Sequence, residues 1–153
     1  MRFILTTALF LGLCGSAFGY ELTEEQKGPW NALEEQVRLG LKQDWNGEQE
    51  YLHPKRCLWG DELPAPVSKK AYSYWQKKSP TYGKIIAHHL VPVSVVVVGD
   101  VAIINFYAHA IVEKDEEQSE IIVRGHNTWK KEKGKWLLLA NYNTMVKSGD
   151  EDD

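Results

Sequence analysis

The feature that most constrains this chain is a change of texture at Pro80. Downstream of it come "YGKIIAHHLVPVSVVVVGD", "VAIINFYAHAIVEK", "SEIIVRGHNTWKK" and "GKWLLLANYNTMV", four runs rich in Val, Ile and aromatic residues. β-Branched and aromatic side chains in such runs, with turn signals between them, read as strands. Gly99-Asp100 marks a hairpin turn and "KDEEQ" a polar hairpin loop. About four long antiparallel strands are therefore expected in the second half.

Upstream the periodicity is helical. In residues 23 to 45, Trp30, Leu33, Val37, Leu41 and Trp45 recur every three or four residues and form one apolar stripe. Thr23 and Gln26 have the spacing of a capping box. "EQEYLHPKRCLWGDELPAP" reads as a short helical turn followed by an irregular loop. "SKKAYSYWQKKS" reads as a third helix capped by Ser68. Helices followed by strands indicate the α+β class, with helices covering one face of a mostly antiparallel sheet.

The first 19 residues, "MRFILTTALFLGLCGSAFG", combine Arg2, an apolar run and a small-x-small end, the pattern of a secretory signal peptide. Cleavage there leaves residues 20–147 as one domain and 148–153 as an acidic disordered tail, and places the mature protein in the periplasm or outside the cell. The formal charge is −3 over the whole chain. No basic stripe appears, so nucleic acid is not an expected partner. Neither is a membrane beyond the export step. Cys14 leaves with the signal, so Cys57 has no internal disulfide partner. Six Trp must then supply much of the buried area.

The stretch "NTWKKEKGKWLLLANYN" decides which residues share a face. A three-residue loop of Glu132, Lys133 and Gly134 puts glycine where positive φ is needed. Trp129 then pairs with Leu137, and Trp129 and Trp136 fall on opposite faces. Alternation places Asn127, Trp129, Asn141 and Asn143 together.

This hairpin, with "YLHP", "SKKAY" and "VVVVGDVAIINFYA" in the same order, resembles nuclear transport factor 2-like (SnoaL-like) domains over residues 23 to 146. The resemblance implies three helices on a strongly curved sheet, a cone with an internal pocket, and a convex face that often forms a homodimer. The hairpin is also similar to that of the calcium/calmodulin-dependent kinase association domain. The basic pocket positions of that domain fall here on Ala108, Asn127 and Asn143, and a pocket histidine falls near Ile86. None of these keeps its charge, which argues against an arginine cluster that recognises carboxylates.

With that facing, Ile86, His88, Ile104, Phe106, Ala108, Asn127, Trp129, Asn141 and Asn143 line the pocket, and Trp45, Trp59 and Trp75 close it. Such a lining suits a small hydrophobic molecule. Ile103, Asn105, Tyr107, His109, Arg124 and His126 form the outer, dimer-forming face. His88 is the candidate acid or base for an isomerase, cyclase or dehydratase, against the alternative of an ordinary strand histidine. His53 and Cys57, four apart, share a face only if their stretch is helical. Ketosteroid isomerase-like chemistry uses an Asp base with Tyr and protonated Asp donors, and the strands offer no inward Asp. No cofactor and no metal site are expected. The leading expectation is an exported ligand-binding domain without catalysis of its own. A His88 enzyme is the alternative, and a dimeric interaction domain the second alternative.

Overall fold

The computed structural model describes residues 20–61, 63–76 (backbone only at 75 and 76), 84–114 and 116–146. The signal segment, the acidic tail and the side chain of Trp75 lie outside the described residues. α1 (Glu24–Leu41) starts at the capping box read from the sequence: Thr23 accepts from the Gln26 amide and the Gln26 side chain accepts from the Thr23 amide. α1 ends earlier than the apolar stripe suggested. Gln43 adopts φ 57° and reverses the chain, and α2 (Trp45–Gln49) begins anew with Asp44 as its cap.

Residues 52–60, expected as loop, form strand β1 (Leu52–Gly60). A two-residue strand β2 (Val67–Ser68) and helix α3 (Lys69–Gln76) follow. The four long strands are β3 (Lys84–Val98), β4 (Val101–Lys114), β5 (Glu117–Glu132) and β6 (Lys135–Val146). The sheet is open and six-stranded, in the order β2-β1-β6-β5-β4-β3. All neighbours are antiparallel except β1, which runs parallel to β6. Parallel pairing needs a crossover, and the chain from β1 through α3 and the β3–β5 meander supplies it.

α1 touches both β3 and β6, which are separated by two strands, so it lies across the sheet. Its Trp30, Ala32 and Leu33 meet Val95, Ala102, Ile104, Phe106, Trp129 and Leu138 in the core. Gln26 Nε2 and the Tyr20 hydroxyl both donate to the Val95 carbonyl, tying the helix start to the edge strand β3. Pro92 sits on that edge, where a missing amide is tolerated, next to a bulge between Pro92 and Ser94. No helix among the described residues is long and apolar enough to cross a membrane.

The last hairpin departs from the expected geometry. Glu132 pairs with Lys135, so the turn has two residues, Lys133 at φ 50° and Gly134 at φ 82°. Two successive positive φ values define the type I′ turn, whose twist matches the strands. Trp136 then pairs with Lys131 and Leu138 with Trp129. The two indoles share one face, and both are buried in the core. A bulge at Leu139, between the Thr128–Ala140 and Trp129–Leu138 pairs, resets the alternation. Beyond it Asn141 and Asn127 return to the Trp129 face.

Candidate functional site

β1 carries the group that the sequence reading missed. Leu52 and Leu58 pair with the inward residues Leu138 and Asn141, so alternation along β1 turns Arg56 inward with them, although the register against β6 slips between Leu52 and Cys57. Arg56 is only 4% exposed. Its Nη2 donates to Asn141 Oδ1 at 2.9 Å, and its Cζ lies 4.2 Å from the centre of the Tyr72 ring on α3. Nε and Nη1 have no hydrogen-bond partner among the described residues. Burial pushes the guanidinium down from its usual range, while Tyr72 and Glu48 act in the opposite direction. A guanidinium stays charged even so.

The surrounding groups are polar, with Glu48, Asn127 and Asn141 buried and Lys69 and Tyr72 half-buried. Glu48, at the inner side of α2, accepts from Gln36 Nε2 at 2.6 Å and from the Tyr72 hydroxyl at 3.5 Å. Lys69, at the start of α3, donates to the carbonyls of Gln49 and Leu52, each at 2.7 Å. Burial and the nearby Arg56 charge lower its ammonium. On the sheet, Asn127 stands directly opposite Asn141. Asn127 Oδ1 and the Trp129 indole Nε1 are buried without a partner. One end of the inner face thus holds three unpaired N–H nitrogens and one unpaired carbonyl oxygen. Each unpaired buried group costs roughly 1–3 kcal/mol, and more where charge is involved. The walls are apolar: Ile104 and Phe106 on β4, and Leu138 on β6, are all buried.

From Asn127 the inner face opens stepwise along the strands. Gly125 pairs with Phe106, and Val123 pairs with Ala108, which in turn faces Leu90 on β3. Leu90, Ala108 and Val123 are half-buried, and His88, Ile86 and Asn143 are exposed. His88 shares this face through its pairing with Ala110, away from the buried polar group. Asn141 is engaged by Arg56, so the three asparagines do not form one cluster.

Other residues lie elsewhere than expected. Trp59 pairs with Tyr142 and stacks edge-on against it, with ring centres 6.1 Å apart. Tyr142 pairs with His126 of the outer face, so Trp59 is an outer, half-exposed residue and does not close the inner face. Trp45 borders a surface groove with Gln43, Asp44 and Asn46. His53 and Cys57 lie on a strand, the first buried and the second exposed. The His53 Nδ1 accepts from the Lys55 amide and its Nε2 faces Glu132 at 3.2 Å, so the imidazole serves β1–hairpin packing and not a thiol. On the outer face His126 bonds Asn105 at 2.7 Å and His109 faces Glu120 at 3.6 Å, so those two histidines do not meet. No group of three or more potential metal ligands occurs among the described residues.

The signal for Arg56 was present but weak. Tyr51, Leu52, Cys57, Leu58 and Trp59 have strand character, yet Pro54 and three basic residues interrupt them.

No family model and no curated protein sequence matches the chain. Solved structures do. A ketosteroid isomerase-like protein from Erwinia carotovora atroseptica superimposes with TM-score 0.70 at 13% identity, over 82% of this chain and 99% of that one. A CaMKII hub from S. rosetta gives TM-score 0.70 at 15% identity, over 82% and 100%. An NTF2-like protein with a cystatin-like fold from Novosphingobium aromaticivorans gives 0.68 at 13%, over 82% and 84%. At these identities the likeness is one of fold.

Proposed function

With an NTF2-like fold as the premise, we propose that this chain is an exported domain that binds a small, largely apolar molecule on the inner face of its sheet, without catalysis of its own. One observation carries this reading. An apolar face ends in buried polar groups that the protein leaves unpaired, although buried polar groups in folded proteins are normally satisfied. A few convergent polar groups on apolar walls are the usual form of a ligand site. The graded exposure from Asn127 to Asn143 gives a ligand a way in.

Trp129 lies in the wall, so occupancy should alter indole emission. A thermal-shift and fluorescence screen with hydrophobic metabolites should raise Tm by several degrees for at least one ligand class, since saturating a site at a hundred times Kd adds about 2.7 kcal/mol. Failure of every class to shift Tm or emission would remove the reading.

The His88 enzyme is the weaker reading. His88 is exposed and lies outside the buried polar group. Full turnover of an identified substrate by His88→Ala would exclude it. A second reading, compatible with the first, is that two copies pair through the outer face. Its support is the set of exposed apolar side chains Val96, Ile103, Tyr107 and Ile111 on the outer face of β3 and β4. Isolated exposed apolar side chains are ordinary, but several on one sheet face, here with Asn105 and His109 set between them on β4, suit an interaction surface.

A further inference from the structure

We infer that the molecule bound on the inner face carries a carboxylate and that Arg56 is its anchor, an inference that rests on the ligand-binding reading above. The argument is one of donors and acceptors. Arg56 Nε and Nη1 and Trp129 Nε1 are buried donors without partners, and Asn127 Oδ1 is the one unpartnered side-chain acceptor beside them. Their residues are close-set. Arg56 Nη2 is 2.9 Å from Asn141 Oδ1, Asn141 is the cross-strand partner of Asn127, and Trp129 is two residues along the same face. All three orphaned residues are at least nine-tenths buried: Arg56 is 4% exposed, Asn127 3% and Trp129 0%.

Water alone completes such a site poorly. Each water that accepts from an N–H brings two hydrogens of its own, and the unpartnered side-chain acceptor beside it is Asn127 Oδ1, Glu48 being already engaged by Gln36 and Tyr72. A carboxylate brings about four lone-pair sites and no hydrogen, which matches three donors. Its hydrogen bonds with a guanidinium are charge-assisted and about twice as strong as neutral ones. Asn127 Oδ1 then accepts from a hydroxyl of the same molecule or from one accompanying water. A phosphate dianion fits less well. It demands more desolvation among Ile104, Phe106 and Leu138. The second cation nearby, Lys69, is committed to two backbone carbonyls.

The apolar body of the ligand extends past Phe106 toward Leu90, Ala108 and Val123.

Isothermal titration calorimetry of the protein with octanoate and phenylacetate tests this, set against octanamide, octanol, phenylacetamide, 2-phenylethanol and inorganic phosphate. Both carboxylates should bind at least about tenfold tighter than their neutral counterparts. Arg56→Met should abolish that preference while leaving weak binding of the alcohols, and Arg56→Lys should restore part of it. Equal binding of carboxylates and alcohols, or phosphate binding as tightly as octanoate, would overturn the anchor while sparing the ligand-binding reading. Binding by none of the probes, with no shift in the metabolite screen, would overturn both. If Arg56→Met does not fold, the carboxylate-to-amide ratio in the wild-type protein decides alone.

Discussion

Single residues set the limits of the inner face. Gly125 is the clearest case. A Cβ built there would lie 2.2 Å from Phe106 Cζ and 2.3 Å from Cε1, because the Phe106 ring lies over its cross-strand partner. No ordinary Cβ contact is that short, so an alanine must push the ring out of a packed core. Gly125→Ala should therefore destabilise the fold by roughly 1–3 kcal/mol, the usual range for overpacking. Phe106→Leu in the Gly125→Ala background should recover part of the loss, because the shorter side chain vacates the contested space. Urea unfolding of the two single variants and the double variant measures the coupling. Additive losses would show that the ring and the glycine do not compete. Arg56 shows the opposite balance at the same scale. There the fold tolerates unpaired buried donors, in the place proposed for a ligand's oxygens.

At the scale of elements, what could be read from the sequence depended on whether periodicity survived into the fold. The capping box at Thr23 and Gln26, the Gly99-Asp100 turn and the strand texture after Pro80 are local signals, and the structure contains all three. β1 was hidden because Pro54 and its basic neighbours look like a loop, and because its pairing with β6 is non-local. With it went Arg56, and the uncharged positions Ala108, Asn127 and Asn143 gave no hint of the buried cation that β1 carries. The final hairpin is instructive. A bulged loop was expected at Gly134; the turn is tight instead, and the extra residue sits at Leu139 within β6. Both arrangements bring Trp129, Asn127 and Asn141 to one face, but only the observed one also brings Trp136 there. Alternation fixes facing only between bulges. The turn itself yields a prediction. Lys133 holds φ 50°, where a β-carbon is strained and Asn is better tolerated. Lys133→Asn creates the favoured Asn-Gly pair and should raise stability by about 0.5–1 kcal/mol, whereas Gly134→Ala, at φ 82°, should lower it by about 1 kcal/mol or more. Unchanged denaturation midpoints for both variants would contradict the turn assignment.

For the molecule as a whole, one sheet face is covered by α1 and the other is not covered by any described element. The covered face holds the core and the buried Arg56, Asn127 and Trp129; the open face carries Val96, Ile103, Tyr107 and Ile111 across β3 and β4, with Arg124, His126 and Tyr142 beside them on β5 and β6. Burying such a set removes apolar area from water at roughly 25 cal/mol per Å², and a two-fold axis would bring each set against its copy. The proposed ligand site and this face are back to back on β4, whose alternate residues point to each. A charge on the open face therefore tests pairing without touching the inner lining. Tyr107→Asp places a carboxylate at the middle of this set, where a symmetric contact would bring two of them together. The wild-type protein should elute as a dimer by size-exclusion chromatography with light scattering at tens of micromolar. Tyr107→Asp should elute as a monomer with an unchanged far-UV spectrum, and should keep its carboxylate preference, since Arg56, Asn127 and Trp129 lie on the other side of the sheet. A wild-type monomer at those concentrations would remove the pairing. A Tyr107→Asp protein that lost its ligand along with its partner would instead mean that the two faces are coupled through the sheet.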